Sequence, residues 1–413
     1  MANAKRKTTC AIVGGGPAGV MLGFLLARAG VNVTVMEKHA DFFRDFRGDT
    51  IHASTLEVMH ELGLLDAFLK LPHQEAHRFD LHLGTTRLSA DFSHLPTRCK
   101  YIALMPQWDF LNFLAEHGRR YPGFRLLMGT EVTDLIEDDG RVVGVRATGA
   151  DGEIEVRADL VAGTDGRHSI VRERAGLSVE NLGAPMDVLW MRLPREANEG
   201  DEPALIAKAG RILVLINRGD YWQCAYLIAK GGYDALVAEG LPAFRARLAA
   251  IAPFAADRTG GLTSWDQIKL LTVRVDRLEQ WSRPGLLCIG DAAHAMSPIG
   301  GVGVNLAVQD AVAAANRLAA PLAAGTVSAA DLAAVQKRRQ FPARLTQRLQ
   351  ILAQDNIIRK ALAEGDDFRP PLPVRMGSDF SFVQRRMGRL VGIGVRPEHV
   401  ETPEAPPTAL PTK

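Results

Sequence analysis

Three glycines spaced as Gly14-x-Gly16-x-x-Gly19 stand between an apolar run and a segment with helical periodicity. This arrangement is typical of a turn that presents backbone N–H groups to a pyrophosphate at the start of a helix. Gly14 permits the tight turn, Gly16 permits close approach of the ligand, and Gly19 permits the helix to pack on a sheet. A glycine-rich turn without a ligand is the alternative that the spacing alone leaves open.

A carboxylate follows at the end of the next apolar run. Glu37 lies 18 residues after Gly19, where it can accept hydrogen bonds from both hydroxyls of an adenosine ribose. The same carboxylate would repel a 2′-phosphate. The site therefore favours FAD or NAD over NADP.

Two more motifs each follow a buried run. Asp165-Gly166 opens one of them and Gly290-Asp291 opens the other. Ligands of open parallel sheets bind at the carboxyl ends of the strands, so Asp291 is positioned to hold a ribityl or ribose hydroxyl. The glycine-rich segment 300–304 then opens a helix, and its N–H groups can stabilise negative charge on a ligand.

The elements that must position these motifs alternate between strand and helix. An apolar-rich hairpin is predicted around Asp139-Gly140, and alternating polarity within residues 183–282 predicts a separate sheet. Helical periodicity runs from about residue 304 to 363. Buried parallel strands are predicted over residues 9–13, 31–36, 160–163 and 285–289, and a helix over 18–29.

These elements predict an α/β fold: a Rossmann-like nucleotide-binding domain, an inserted and mostly antiparallel β-sheet domain for the substrate, and a helical C-terminal region. The predicted boundaries are 1–180 with 283–330 for the nucleotide-binding domain, 181–282 for the inserted sheet, to which 75–105 is a candidate addition, 331–395 for the C-terminal helices, and 396–413 for a disordered, proline-rich tail.

Composition narrows the possible partners. The 413 residues carry 49 Lys and Arg against 47 Asp and Glu, and this balance predicts no nucleic-acid partner. Four cysteines without a CxxC pair favour a reducing, cytoplasmic setting and argue against a metal site. No apolar run is long enough to predict a transmembrane segment.

The three motifs, in this order, resemble those of the class A flavoprotein aromatic hydroxylases, the family of para-hydroxybenzoate hydroxylase, near its ubiquinone-pathway branch. The resemblance covers about residues 8–360. It implies a FAD-dependent monooxygenase in which NADPH or NADH, as a transient co-substrate, reduces FAD. A flavin C4a-hydroperoxide formed with O₂ would then hydroxylate an electron-rich small molecule, aromatic or phenolic. No separate nicotinamide domain is expected.

The resemblance also implies roles for single residues. Arg47 would lie along the flavin, Gln107 would contact the flavin region, and Val132 would contact adenine through its backbone. The full set implied for FAD is Gly14, Gly16, Pro17, Ala18, Gly19, Glu37, Lys38, Arg47, Gln107, Val132, Asp165, Gly166, Gly290, Asp291, Pro298, Gly301, Gly303, Val304 and Asn305.

Aromatic residues of the inserted sheet are candidates for the substrate pocket. These are Trp190, Trp222 and Tyr226, with Cys224 beside them, and packing in the core is the alternative for each. His52 and Tyr221 are the candidates for proton transfer, although the family has no universal acid or base.

Other proteins share this fold. A flavin-dependent halogenase is one alternative, but residues 222–227 (WQCAYL) lack the halogenase pattern Trp-x-Trp-x-Ile-Pro. A prenyl reductase is another, and a non-enzymatic binding protein like the GDP-dissociation inhibitors is a third. The expected partners are a small-molecule substrate and O₂, and both a monomer and a homodimer are compatible with the sequence.

Overall fold

The structure is a computed structural model, and it describes residues 4–43, 50–83, 86–150, 152–196, 198–200, 203–208, 210–364 and 380–405. The α-helices of the described residues are α1 (Pro17–Arg28), α2 (Ala53–Glu61), α3 (Leu65–Phe68), α4 (Gln107–Gly118), α5 (Ile170–Arg174), α6 (Tyr233–Glu239), α7 (Leu241–Ile251), α8 (Gly303–Ala323), α9 (Ala329–Ala353), α10 (Arg359–Glu364) and α11 (Ser381–Gly392).

The strands are β1 (Ala4–Val13), β2 (Val33–Met36), β3 (Thr50–Ile51), β4 (Gln74–Ala76), β5 (Arg78–Leu83), β6 (Thr86–Asp91), β7 (Ile102–Leu104), β8 (Phe124–Leu127), β9 (Glu131–Asp138), β10 (Arg141–Gly149), β11 (Gly152–Gly163), β12 (Val179–Asn181), β13 (Met186–Pro194), β14 (Ala204–Lys208), β15 (Arg211–Asn217), β16 (Tyr221–Ala229), β17 (Lys269–Leu271), β18 (Asp276–Leu278), β19 (Ser282–Arg283) and β20 (Leu286–Cys288).

The first sheet has the strand order β19-β20-β11-β1-β2-β8, and the hairpin β9–β10 joins it along β11. Neighbours from β20 through β8 are parallel, as the apolar runs predict. β2 is buried throughout, because α1 and α8 contribute apolar side chains to the same core. The predicted turn at Asp139-Gly140 is confirmed, and both residues have positive φ.

The second large sheet has the order β17-β13-β16-β15-β14-β5-β6. All its pairs are antiparallel except β14 with β5. One face packs on α6 and α7, and its core includes Phe244 and Leu248. The other face is turned toward the nucleotide-binding sheet. The predicted α/β fold with an inserted, mostly antiparallel sheet is therefore confirmed.

The C-terminal region contains a correction. Residues 396–405, predicted to be disordered, lie against the first domain and are called here the C-terminal strap. Arg28 donates to the Thr402 carbonyl at 2.8 Å, and Ala405 N–H donates to the Arg28 carbonyl at 2.7 Å. Proline-rich composition suggests disorder, but the strap supplies hydrogen-bond acceptors at the end of α1, which a composition argument cannot detect.

The helical chain continues beyond the last residue of α9, Ala353. It continues through a π-helical turn over Gln354–Ile358 into α10. Within the described residues, no helix combines the length and apolarity needed to span a bilayer.

Candidate active site

A cavity of about 940 Å³ lies between the two large sheets. Its nucleotide end is lined by residues from all three sequence motifs. Those predicted for FAD that line it are Gly14, Gly16, Pro17, Ala18, Glu37, Lys38, Gln107, Val132, Asp165, Gly166, Asp291, Pro298, Gly301, Gly303 and Val304. Arg47 lies outside the described residues.

The first glycine motif forms the turn between β1 and α1. Gly14 has a φ of 99°, and its N–H donates to the Met36 carbonyl at 2.8 Å. A Cβ on Gly19 would lie 1.9 Å from the Gly14 carbonyl oxygen, so Gly19 allows the helix to pack on the turn. A Cβ on Gly16 would meet no atom within 4 Å. Gly16 therefore leaves open space where a pyrophosphate would reach the start of α1.

Glu37 is held in place by the backbone around it. Its Oε2 accepts from the Gly15 N–H at 2.9 Å, and its Oε1 accepts from the His39 N–H at 3.1 Å. The carboxylate lines the cavity directly after β2. This position suits an acceptor for ribose hydroxyls.

Asp165 lines the cavity, but its carboxylate also forms the start of α5. Its oxygens accept from the Ser169 hydroxyl at 2.5 Å and from the Val171 N–H at 3.2 Å. Burial raises the pKa of Asp165 above its usual value despite these bonds. The side chain shapes the turn that carries Gly166 to the cavity.

Arg172 connects the second and third motifs. Its guanidinium forms a two-pronged pair with Asp276, with both N–O distances 3.1 Å. It also donates to the Arg167 carbonyl at 2.6 Å and, more weakly, to the Ala292 carbonyl at 3.4 Å. The Arg167 guanidinium in turn lies 3.6 Å from Asp291. Arg167 directly follows Gly166 and lines the cavity, although it was not among the residues predicted for FAD.

Behind the third motif lies a buried charge network around Asp310. One of its oxygens accepts from the Gly290 N–H at 3.0 Å and from His294 Nε2 at 2.6 Å. The other accepts from Arg339 Nε at 2.9 Å, and Arg339 also donates to Glu398 of the strap at 3.0 Å. Gly290 and His294 therefore support the loop from behind the cavity wall.

Asn305 supports the glycine-rich loop in the same way. Its Oδ1 accepts from the His52 N–H at 2.8 Å and from the Thr55 hydroxyl at 2.7 Å. Its Nδ2 donates to the Thr50 carbonyl at 3.2 Å. The predicted cofactor residues Gly19, Gly290 and Asn305 thus lie one layer behind the lining residues. The positions of these residues in the motifs did not show whether a residue lines the cavity or supports a residue that does.

The structure does not bring the candidate His52 into the cavity. The residue precedes α2, is almost fully buried, and donates from Nδ1 to the Val391 carbonyl at 2.7 Å. Burial lowers the pKa of His52 to about 4, so the ring is neutral near pH 7. Its placement is that of a histidine that packs in the core.

Of the four residues predicted for the substrate pocket, one lines the cavity and three face away from it. Trp190 lines the cavity, and on β16 the residue opposite it is Ala225. Directly opposed residues share a face, so Ala225 and Leu227 reach the cavity. Trp222, Cys224 and Tyr226 alternate with them and face the core under α7. The sequence showed that side chains alternate between the two faces of this strand, but it did not show which face meets the cavity.

Replacing Tyr226 with phenylalanine tests this register. The Tyr226 ring packs against Phe244, with 5.3 Å between centroids, on the side away from the cavity. We therefore expect Tyr226→Phe to leave kcat and KM within about twofold of the parent enzyme. The same change at Tyr221, which lies under the Arg192 guanidinium at the start of β16 and is absent from the cavity lining, is the matched comparison. A tenfold loss of kcat in either variant would contradict this placement and show that the tyrosine takes part in the reaction.

FAD fits the residues that are present. The open space at Gly16, the acceptor Glu37 and the carboxylate of Asp291 all belong to the lining of the cavity. Two helix N-termini, those of α1 and α8, face it, and neither has an acidic residue in its first turn. Fold and site together define a flavin-dependent oxidoreductase.

Comparison with known proteins agrees with the assignment of a FAD site. A family described as FAD binding domain matches residues 7–349, and the chain belongs to this family. Together with relatives that are named monooxygenases, this match confirms the resemblance to flavoprotein hydroxylases, and the chain is a FAD-dependent monooxygenase.

Two curated relatives and one solved structure are similar over most of their length. The chain is 35% identical to 6-methylpretetramide 4-monooxygenase of Streptomyces rimosus, over 84% of this chain and 83% of that one. It is 26% identical to para-nitrophenol 4-monooxygenase of a Pseudomonas species, over 80% and 82%. The crystal structure of PqsL, a probable FAD-dependent monooxygenase from Pseudomonas aeruginosa, shares the fold with a TM-score of 0.74 at 23% identity, over 87% and 99%.

Proposed function

We propose that this monooxygenase hydroxylates a large, mostly apolar aromatic compound with a phenolic ring, using NADPH or NADH. In the balanced reaction, one oxygen atom of O₂ enters the substrate and the other leaves as water, while the nicotinamide supplies a hydride and the solvent a proton. The FAD site is assigned to residues 1–180 with 283–330. The substrate is assigned to the sheet of residues 181–282 together with β5 and β6.

The observation that carries the proposal is the apolar character of the cavity wall formed by the second sheet. Every described residue that this sheet contributes to the lining is apolar: Phe79, Leu81, Met186, Val188, Trp190, Leu205, Val214, Ile216, Ala225, Leu227 and Leu271. Such a wall favours flat apolar rings and excludes water from the reacting edge. A relative whose name includes the substrate 6-methylpretetramide supports the same class of ligand.

Bound FAD would supply the redox chemistry, namely hydride acceptance and activation of O₂. The chain supplies placement. We assign the pyrophosphate to Gly14–Ala18, the adenosine ribose to Glu37, and a ribityl hydroxyl to Asp291. We assign the flavin ring of FAD to the N-terminus of α8, with Gly301, Gly303 and Val304. The N–H groups of this helix end would stabilise negative charge on the flavin ring.

The test is an anaerobic visible spectrum of the purified holoprotein. NADPH and NADH are each added with a tetracyclic phenol, with para-nitrophenol, or with neither. We expect the flavin bands to bleach, fastest with the tetracyclic phenol, and a product 16 mass units heavier after air is admitted. Bleaching that is fastest with the small phenol would contradict the proposed substrate size.

The same spectrum distinguishes the hydroxylase from the second candidate function, a flavin-dependent halogenase. A halogenase supplied by an external reductase would bind FAD and leave it oxidised with both nicotinamides. The missing Trp-x-Trp-x-Ile-Pro pattern within residues 222–227 favours the hydroxylase. A protein that cannot be loaded with FAD would instead favour the binding-protein alternative.

We also propose a cytoplasmic location, supported by the four free and buried cysteines. Either a monomer or a homodimer is compatible with the proposed reaction.

A further inference from the structure

Three glutamines of the C-terminal region form a ladder along one side of a helix. Gln347 and Gln350 belong to α9, and Gln354 begins the π-helical turn. Their spacing of three and four residues places them on one helix face. Their exposed fractions are 0%, 5% and 1%, which is unusual for glutamine.

The ladder binds the main chain of the loop that follows the Gly290-Asp291 motif. Gln350 accepts from the Ser297 N–H at 3.2 Å and donates to the Ser297 and Ile299 carbonyls at 3.0 and 2.9 Å. Gln354 donates to the Ser297 hydroxyl at 2.7 Å. Gln347 donates to the Ala295 carbonyl at 3.1 Å. These amides satisfy buried backbone groups that an irregular loop cannot pair internally.

The loop and the turn both reach the cavity. Pro298 and Ile299 line it from the loop, and Ile357 and Ile358 line it from the π-helical turn. Ile299, Ile357 and Ile358 also share one apolar cluster with Trp190 of the substrate sheet. The ladder is therefore a direct connection between the loop on the cofactor side and the wall on the substrate side.

We propose that Gln350 and Gln354 are positioning residues, which hold the Ser297–Ile299 segment at a fixed distance from the substrate wall. This rests on the proposed hydroxylase function. A segment held in this way keeps water from the reacting edge, so that consumption of NAD(P)H ends in oxygen transfer. When the segment is loose, the same electrons and O₂ leave as H₂O₂ instead.

The first test is Gln350→Met, which keeps the length of the side chain and removes its three hydrogen bonds. We expect hydrogen exchange of the 295–301 amides to rise at least about fivefold in both apoprotein and holoprotein. The yield of H₂O₂ per NAD(P)H, with the best phenol found, should rise severalfold while the Kd for FAD stays within about twofold. Gln340→Met, on the same helix, is the control.

A second pair of variants tests the proposal independently, in case Gln350→Met does not fold. Gln354→Met and Ser297→Ala remove the two sides of the Gln354–Ser297 hydrogen bond, and Ser297→Ala also removes the acceptor of the Ile299 N–H at 3.3 Å. We expect their effects on exchange and on H₂O₂ yield to be non-additive in the double variant. Unchanged exchange, or faster exchange with an unchanged H₂O₂ yield, overturns the proposal. Because exchange is measured without substrate, its result is independent of whether the proposed hydroxylation is found.

Discussion

Alanine at Gly16 is expected to weaken FAD binding strongly in a protein that still folds, whereas alanine at Gly19 is expected to damage the fold itself. The Gly16 Cβ would enter open space at the cavity wall, where the pyrophosphate is assigned. The Gly19 Cβ would overlap the Gly14 carbonyl oxygen at 1.9 Å. We expect FAD affinity to fall by about 100-fold or more in the first variant. The second should lose about 2–3 kcal/mol of unfolding free energy as apoprotein.

Thermal unfolding of the apoproteins and titration with FAD, followed by quenching of flavin fluorescence, measure the two effects. Gly260→Ala is the control, because a Cβ at that position also meets no atom within 4 Å and Gly260 is not among the cavity-lining residues. If Gly16→Ala binds FAD as the parent does, the pyrophosphate does not lie at this turn. The assignment of the first motif would then fail, while the fold would stand.

Replacing Asp310 with asparagine should destabilise the protein by about 3 kcal/mol or more near neutral pH. Asp310 and Arg339 are 0% and 1% exposed, so the change removes one of the two carboxylates that contact a buried guanidinium and leaves only Glu398. His294 loses the same partner. Asp355→Asn removes an exposed pair with Arg359 and should cost less than about 0.5 kcal/mol. Equal urea midpoints for these two variants would contradict the role assigned to the network.

The effect of Asp310→Asn also has a defined pH dependence. Burial alone would raise the pKa of Asp310, but the charges and hydrogen bonds of His294 and Arg339 outweigh it and hold the pKa below 3.8. A lowered carboxylate pKa contributes stability that is complete above the unfolded pKa and is lost as the pH falls through the folded one. The difference between parent and variant should therefore shrink as the pH falls below the ordinary aspartate pKa.

The nucleotide end of the site could be predicted from sequence because its residues act through local backbone geometry. The turn at Gly14, the acceptor Glu37 at a strand end, and the Asp165 and Asp291 turns each follow from a short segment. The order of the three motifs then identified the class of flavoprotein. Local patterns of this kind survive in the folded structure unchanged.

The substrate end could not be predicted in the same way, because it depends on contacts between distant segments. Which face of β16 meets the cavity is decided by its pairing with β13, and Ala225 carried no aromatic signal. The glutamine ladder depends on how α9 packs on the loop that contains Ser297. No periodicity within either segment reveals its partner.

The C-terminal strap has a consequence for how the protein is made. Glu404 accepts from the Tyr121 hydroxyl at 2.9 Å, and Ala405 caps the helix that ends at Arg28. The βαβ unit of β1, α1 and β2 thus receives contacts from residues far along the chain, and the Arg28–Thr402 hydrogen bond spans 374 residues. The contacts of this unit are therefore complete only after the chain has been translated through residue 405.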